Sequence, residues 1–290
     1  MKKILNFLSL TNFLNLVKFE HSVFALPFAL SGAVLAQEHG FPRLSTIFWI
    51  ILAMIGARSL AMSLNRIIDK DIDLKNPRTS SRELPERKIT TKKAVFFSLA
   101  SFLILLLATY QLPKICFLLL PIAVLWFYIY PYTKRFTSLS HLWLGIALGA
   151  SVLAGWISVT GEINSFVPFV LGAAVAFWVA GFDIIYACQD YNFDKANNLC
   201  SIPSKLGIKN ALLVSKIFHV LTILFLIILG QMIQTSLIYW FCVIFVSGML
   251  FYEQSLVKEN DLSKVNMAFF TLNGWVSVGF FVFILLEKLI

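Results

Sequence analysis

Charge is scarce in this chain: Asp, Glu, Lys and Arg make up 13% of its 290 residues, about half the share found in soluble domains. Hydrophobic residues reach 59% and the mean hydropathy is +0.81, which excludes an ordinary water-soluble fold. Acidic residues are fewest, 15 against 24 Lys and Arg. The four cysteines, Cys116, Cys188, Cys200 and Cys242, stand at no paired short spacing, so neither a disulfide framework nor a zinc site is expected. His21, His39, His141 and His219 likewise have no partner at metal-ligand spacing. Arginine is absent from the first forty residues, which argues against a mitochondrial transit peptide. Asn6, Asn12 and Asn15 break the N-terminal apolar run, so an amphipathic helix at the membrane interface is expected there in place of a signal peptide.

What is present is a succession of long apolar runs. A membrane-crossing helix needs about 20 predominantly apolar residues, and nine candidates occur, at roughly 21–37, 45–64, 94–111, 113–131, 139–159, 166–184, 211–231, 234–252 and 266–287. Pro27 and Pro121 interrupt the first and fourth, and Pro113 opens the fourth. The expectation is an all-α polytopic membrane protein, nine helices in a single bundle over residues 1–290, with two pseudo-repeated halves. Lysine and arginine concentrate in loops kept in the cytoplasm. With the N-terminus inside, only Arg43, Lys114 and Lys288 fall in outer segments, so the C-terminus is placed outside and the membrane is read as a bacterial cytoplasmic one. The net charge of +9 lies in short loops between spans rather than on a folded basic face, which points to the lipid bilayer and an anionic substrate, with no nucleic-acid partner.

Two loops are long and polar, at residues 65–93 and 185–210, and an even number of spans places them on the same side. Asn65, Asp69 and Asp73 recur at every fourth position, which predicts one helical face. Asp190 and Asp194 repeat the spacing. A charged group at a helix centre costs about 2.5–3.5 kcal/mol on insertion scales, so these carboxylates cannot face lipid. A single aspartate here would be a solubilising charge at a helix end; two copies of the pattern on one side speak for a shared site. Oxygen-only ligand sets select hard cations, and Mg²⁺ uses one or two carboxylates plus phosphate oxygens. Each pair is therefore read as half of a site for two Mg²⁺ ions bridged by a diphosphate.

The complex would need cations. Arg66, Arg78, Arg82, Lys134 and Arg135 lie on the same side, and with Asn65 they are the candidate diphosphate contacts. Lys88, Lys92 and Lys93 are read as topology-setting charge. Asp183 and Tyr186 precede Asp190 by seven and four residues and so share its helix face. They are the candidate catalytic pair: Asp183 orients a substrate or accepts a proton, or else bonds a neighbouring helix. Intramembrane acids in repeated halves also mark ion-coupled carriers. Their clustering at one surface rather than at the midplane favours an enzyme.

The run Asn65-Arg66-Ile67-Ile68-Asp69-Lys70-Asp71-Ile72-Asp73, continuing through Arg78-Thr79, Arg82 and Leu84-Pro85, resembles the first signature of the UbiA superfamily of intramembrane aromatic prenyltransferases. The run from Asp183 through Tyr186-Ala187, Asp190 and Asp194 to Gly207 resembles the second, and Tyr130 to Arg135 the motif after the fourth helix. The resemblance implies a nine-helix bundle with a cytoplasm-facing cavity. It implies that Asp69, Asp73, Asp190 and Asp194, with Asn65, hold Mg²⁺ and a polyprenyl diphosphate, contacted by Arg78, Lys134 and Arg135. The activity implied is transfer of the polyprenyl group to an aromatic hydroxy acid, 4-hydroxybenzoate or a dihydroxynaphthoate, in ubiquinone or menaquinone synthesis; haem is a rival acceptor. The branch most similar is the 4-hydroxybenzoate polyprenyltransferases. Asn198 and Cys200 stand where many relatives have Gly and Lys, and Lys18-Phe-Glu-His21 departs from the usual basic start, so the departures bear on the acceptor rather than on the diphosphate chemistry.

Overall fold

In lipid, apolar runs satisfy their backbone groups only as helices or closed barrels, and every long element here is a helix. The computed structural model describes residues 15, 16, 25–233 and 235–290. The readings made for Asn6 and Asn12, and for Lys18, Glu20 and His21, lie outside those residues. In chain order the helices are α1 (Leu26–Leu35), α2 (Leu44–Ile68), the short α3 (Lys70–Lys75), α4 (Thr91–Tyr110), α5 (Lys114–Thr133) and α6 (Ser140–Thr160). There follow α7 (Val167–Ala187), the short α8 (Tyr191–Ala196), α9 (Ile202–Met232), α10 (Leu237–Leu256) and α11 (Asn273–Leu289).

Eight of these, counting α8 with α7 and the π-helical turn Met267–Leu272 with α11, are long and apolar enough to cross a membrane, and α1 is a shorter apolar helix of 10 residues among the described ones. Nine long spans are therefore not what the described residues contain. One boundary also moves, and Pro27 does not interrupt the first helix. Pro27 sits in the first turn of α1, where a missing N–H costs nothing. The helix expected from 211 starts at Ile202, because Ser201 and Ser204 form a reciprocal cap and Pro203 fits the first turn. Gly207, at φ 79°, breaks it before the apolar stretch. Pro113 caps α5 as expected, while Pro121 and Pro131 both lie inside a continuous α5.

The bundle is organised around α7. In its most apolar stretch 61% of residues are buried, against 17–44% for the other seven spans, and Trp178, Val179, Phe182, Ile184 and Ile185 are almost wholly enclosed. It packs chiefly on α6 and α9, while α2 pairs with α4 and α1 with α6. Close approach in membranes depends on small residues, and α6 supplies them. A Cβ at Gly149 would overlap the Gly172 carbonyl of α7, and one at Gly155 the Ala29 carbonyl of α1. These contacts bring the ends of α2, α5, α6 and α7 around one polar cavity.

Candidate active site

The first aspartate pair straddles a helix break. Continuous helix was expected through Asn65, Asp69 and Asp73, but α2 ends at Ile68 and Asp69 adopts φ −92°, ψ 3°. The four-residue hydrogen bonding survives: Asp69 N–H donates to Asn65 C=O at 3.0 Å and Asp73 N–H to Asp69 C=O at 2.8 Å. The three residues thus remain on one side although the helix axis is interrupted. The second pair is built alike. A 3₁₀ turn, Cys188–Asp190, ends with Asp190 at φ −95°, ψ 4°, and a six-residue helix carries Asp194. An asparagine follows each short helix, Asn76 and Asn197. Matching backbone breaks, helices and terminal residues show that the two halves share one local design.

Both pairs line one cavity of about 180 Å³. Asn65, Arg66, Arg78, Arg82, Lys134, Asp183 and Tyr186 line it too. Each carboxylate has a partner. Lys134 Nζ donates to Asp69 Oδ2 at 2.7 Å, and Arg82 Nη1 donates to both Asp73 oxygens at 2.8 Å. Arg66, buried, stands 3.8 Å from Asp73. Ser201 Oγ donates to Asp194 at 2.8 Å. Arg78 crosses between the halves: Nε donates to Asp190 Oδ1 at 2.8 Å, Nη2 to Oδ2, and Nη1 to Tyr186 Oη at 2.8 Å, with the guanidinium 4.9 Å from the Tyr186 ring centre. Burial opposes charge on Arg78, but its bonds to Asp190 and Tyr186 outweigh this and raise its pKa.

Arg135 stands at the edge of this set. It does not line the cavity; its guanidinium donates to Ile68 C=O at 3.1 Å and lies 4.8 Å from the Tyr132 ring centre at the rim. Its Nη2 is also 3.8 Å from Asp69 Oδ1, so Lys134 and Arg135 both reach the Asp69 carboxylate, Arg135 from the more exposed side.

Four contributors were not singled out from the sequence. Asn76 Nδ2 donates to Asp190 Oδ1 at 2.9 Å while its own Oδ1 accepts from Arg78 N–H at 3.0 Å. The recurrence of Asn seven residues after Asp69 and Asp190 was a visible signal. His141, for which the sequence offers no partner at metal-ligand spacing, has its Nδ1 2.7 Å from Asp183 Oδ2, so Asp183 both faces the cavity and bonds a neighbouring helix. Ser201 was hidden in an apparent loop. Phe269, whose ring centre is 4.2 Å from that of Tyr186, lies on a π-helical turn, Met267–Leu272, which apolar periodicity does not reveal.

A hard cation fits this donor set. Asp69 Oδ1 is buried and accepts no hydrogen bond among the described residues. Burial lifts the Asp69 carboxyl above its ordinary value, and Lys134 pulls it back only in part. Among the described residues no three His, Cys, Asp or Glu side chains form a cage by themselves. Two carboxylates per half plus oxygens from a ligand and water is the arrangement Mg²⁺ typically takes.

Fold and site together define a multi-pass helical membrane protein whose polar chemistry is gathered in one cavity at one end of the bundle. Residues 25–275 match the UbiA prenyltransferase family. The chain belongs to that family and is a prenyltransferase. It is 32% identical over 259 residues to the 4-hydroxybenzoate octaprenyltransferase of Vibrio atlanticus, covering 86% of this chain and 88% of that protein. With the enzyme of the same name from Vibrio campbellii it shares 26% identity over 250 residues, 85% and 86% of the two chains. The apo structure of a UbiA homolog from Aeropyrum pernix superimposes with a TM-score of 0.84 at 32% identity over 92% of this chain and 98% of that one. A UbiA homolog from Archaeoglobus fulgidus, solved with GPP and Mg²⁺, shares the fold at a TM-score of 0.78 and 18% identity over 96% and 100%.

Proposed function

We propose that this prenyltransferase moves a polyprenyl group from polyprenyl diphosphate to a ring carbon of an aromatic hydroxy acid, with 4-hydroxybenzoate as the leading acceptor. The carrying observation is the convergence of both aspartate pairs and four cations on one cavity. Five carboxylates there (Asp69, Asp73, Asp183, Asp190 and Asp194) face Arg66, Arg78, Arg82 and Lys134. Two Mg²⁺ ions and a diphosphate of about −3 would bring the total close to neutrality. The name shared by the Vibrio relatives supports the acceptor, and the GPP and Mg²⁺ bound by the Archaeoglobus homolog support the donor and metal.

Asp69 and Asp73 on one side and Asp190 and Asp194 on the other would hold the ions, which supply Lewis-acid stabilisation of the leaving diphosphate. Arg78, Arg82, Arg66 and Lys134 lie where they neutralise the same leaving group. The allylic C–O bond breaks with its electron pair going to the diphosphate, a C–C bond forms at the ring, and a ring proton leaves. Asp183, steadied by His141, is the acceptor for that proton. Tyr186 fixes the orientation of Arg78 through its hydroxyl and ring face. Apolar helices around the cavity keep water from the allylic cation. The reaction is placed at the cytoplasmic face of a bacterial inner membrane. Family membership and a cavity at one end stand against the carrier reading.

The test is a reaction of membranes containing the protein with Mg²⁺, a polyprenyl diphosphate and a panel of acceptors, 4-hydroxybenzoate, dihydroxynaphthoates and haem, with products identified by mass. Asp69→Asn and Asp190→Asn are expected to lower Mg²⁺-dependent transfer by about 10²-fold or more while leaving the protein in the membrane. Wild-type turnover in either variant would refute the assignment of the metal ligands.

A further inference from the structure

A second cleft, of about 670 Å³, opens on the outside of the bundle between the start of α9 and the end of α10. It lies at the same end as the catalytic cavity, since α9 begins directly after Ser201, a residue of that cavity. Three lysines from both walls line it: Lys209 and Lys216 of α9, seven residues apart and so on one helical face, and Lys258 just beyond α10. All three are exposed, and none is ion-paired to a carboxylate among the described residues. Glu259 is the single acid in the lining, which leaves the cleft net positive.

Apolar surface continues from the cationic end. Leu213 lies between the α9 lysines and is 56% exposed, and Ile217, Val220 and Leu224 extend the exposed row at helical spacing. Charge at the membrane boundary leading into an apolar track along one helix is the chemistry of a phospholipid, phosphate at one end and acyl chain at the other. Basic pockets between spans at the cytoplasmic side suit anionic headgroups, and each lysine near the surface adds appreciably to that attraction. Gln254, at the base of the cleft, donates to Ser215 at 2.8 Å and lies 2.9 Å from His219 Nδ1, and Ser215 donates to the Gly181 carbonyl at 2.8 Å. The floor of the cleft is thus braced against α7 and is a built surface rather than a gap between loose ends.

We propose that this cleft binds an anionic phospholipid, its phosphate held by Lys209, Lys216 and Lys258 and an acyl chain lying along the Leu213–Leu224 row. The full-length protein in detergent, given an equimolar mixture of phosphatidylglycerol and phosphatidylcholine with identical chains, should retain phosphatidylglycerol preferentially by native mass spectrometry. The triple variant K209Q/K216Q/K258Q should reduce that preference about tenfold or more, while the double variant K92Q/K93Q, which removes two basic residues at the start of α4, leaves it unchanged. Three results would overturn the proposal: no preference in the wild type, equal loss in both variants, or displacement of the lipid by millimolar inorganic phosphate. Retention of polyprenyl diphosphate in place of phospholipid, with the same lysine dependence, would also overturn it.

Discussion

At the residue scale, the site is a set of acids each held by a base or hydroxyl, and the pairings set its response to pH. Burial raises the Asp69 carboxyl and Lys134 at 2.7 Å partly offsets that rise. A metal ion competes with the proton for a carboxylate ligand. Apparent Mg²⁺ affinity should therefore fall as pH drops through this elevated pKa, earlier than for an ordinary carboxylate. Removing the ammonium in Lys134→Met raises the Asp69 pKa further, so the acid limb should move to higher pH. The check is the apparent KM for Mg²⁺ measured across pH in both proteins, and an unmoved limb would show that Asp69 is not the titrating ligand. Arg78 plays a different part: by joining Asp190 to Tyr186 it ties the second aspartate pair to the residue whose tilted ring lies against Phe269.

At the scale of elements, two interruptions of regular helix do most of the shaping. The break after α2 and the 3₁₀ turn after α7 let an aspartate end one helix and begin another, so side chains four apart converge without a straight helix to carry them. The π-helical turn Met267–Leu272 is the third irregularity, and such turns recur at functional sites. Asn273 holds it: its Nδ2 donates to the Ala268 and Phe269 carbonyls at 3.0 and 3.2 Å and to Glu253 at 3.3 Å, and its Oδ1 accepts from Trp178 Nε1 at 2.7 Å. Asn273→Leu would leave Trp178 and Glu253 without this buried partner, a cost of about 1–3 kcal/mol. The thermal midpoint in detergent should drop. Because the turn presents Phe269 to Tyr186, KM for the aromatic acceptor should rise more than KM for the diphosphate. Equal effects on both would reduce Asn273 to a packing role.

At the scale of the whole molecule, α7 is a central post and the two halves close their polar ends over it. The cavity needs residues from α2, α5, α6, α7 and the segments that follow them, so no fragment carries the chemistry. The proposed orientation, with the cavity side in the cytoplasm, follows from the excess of Lys and Arg in the loops on that side. Reporter fusions check this: one inserted between residues 80 and 90 should report the cytoplasm and one at the C-terminus the outer side. The reverse pattern would turn the protein over in the membrane.

Much of this was legible in the chain alone. Apolar run length determines helices in lipid, and the recurrence of aspartate every four residues marks the candidate site, because each of these is a local property of consecutive residues. The boundaries at Asp69 and Ile202 were less legible, since helix ends depend on caps and breaks that hydropathy does not register. Only the tertiary structure decided which base holds which acid. Asn76 and Asp190 are 114 residues apart in the chain, and His141 and Asp183 are 42 apart. Such partners are selected by how close α6 and α7 pack and by which way each loop turns at the cavity mouth. Arg135 shows the same dependence: adjacent to Lys134 in sequence and identical in charge, it stands 3.8 Å from the Asp69 carboxylate that Lys134 bonds at 2.7 Å, and gives its hydrogen bond to the Ile68 carbonyl.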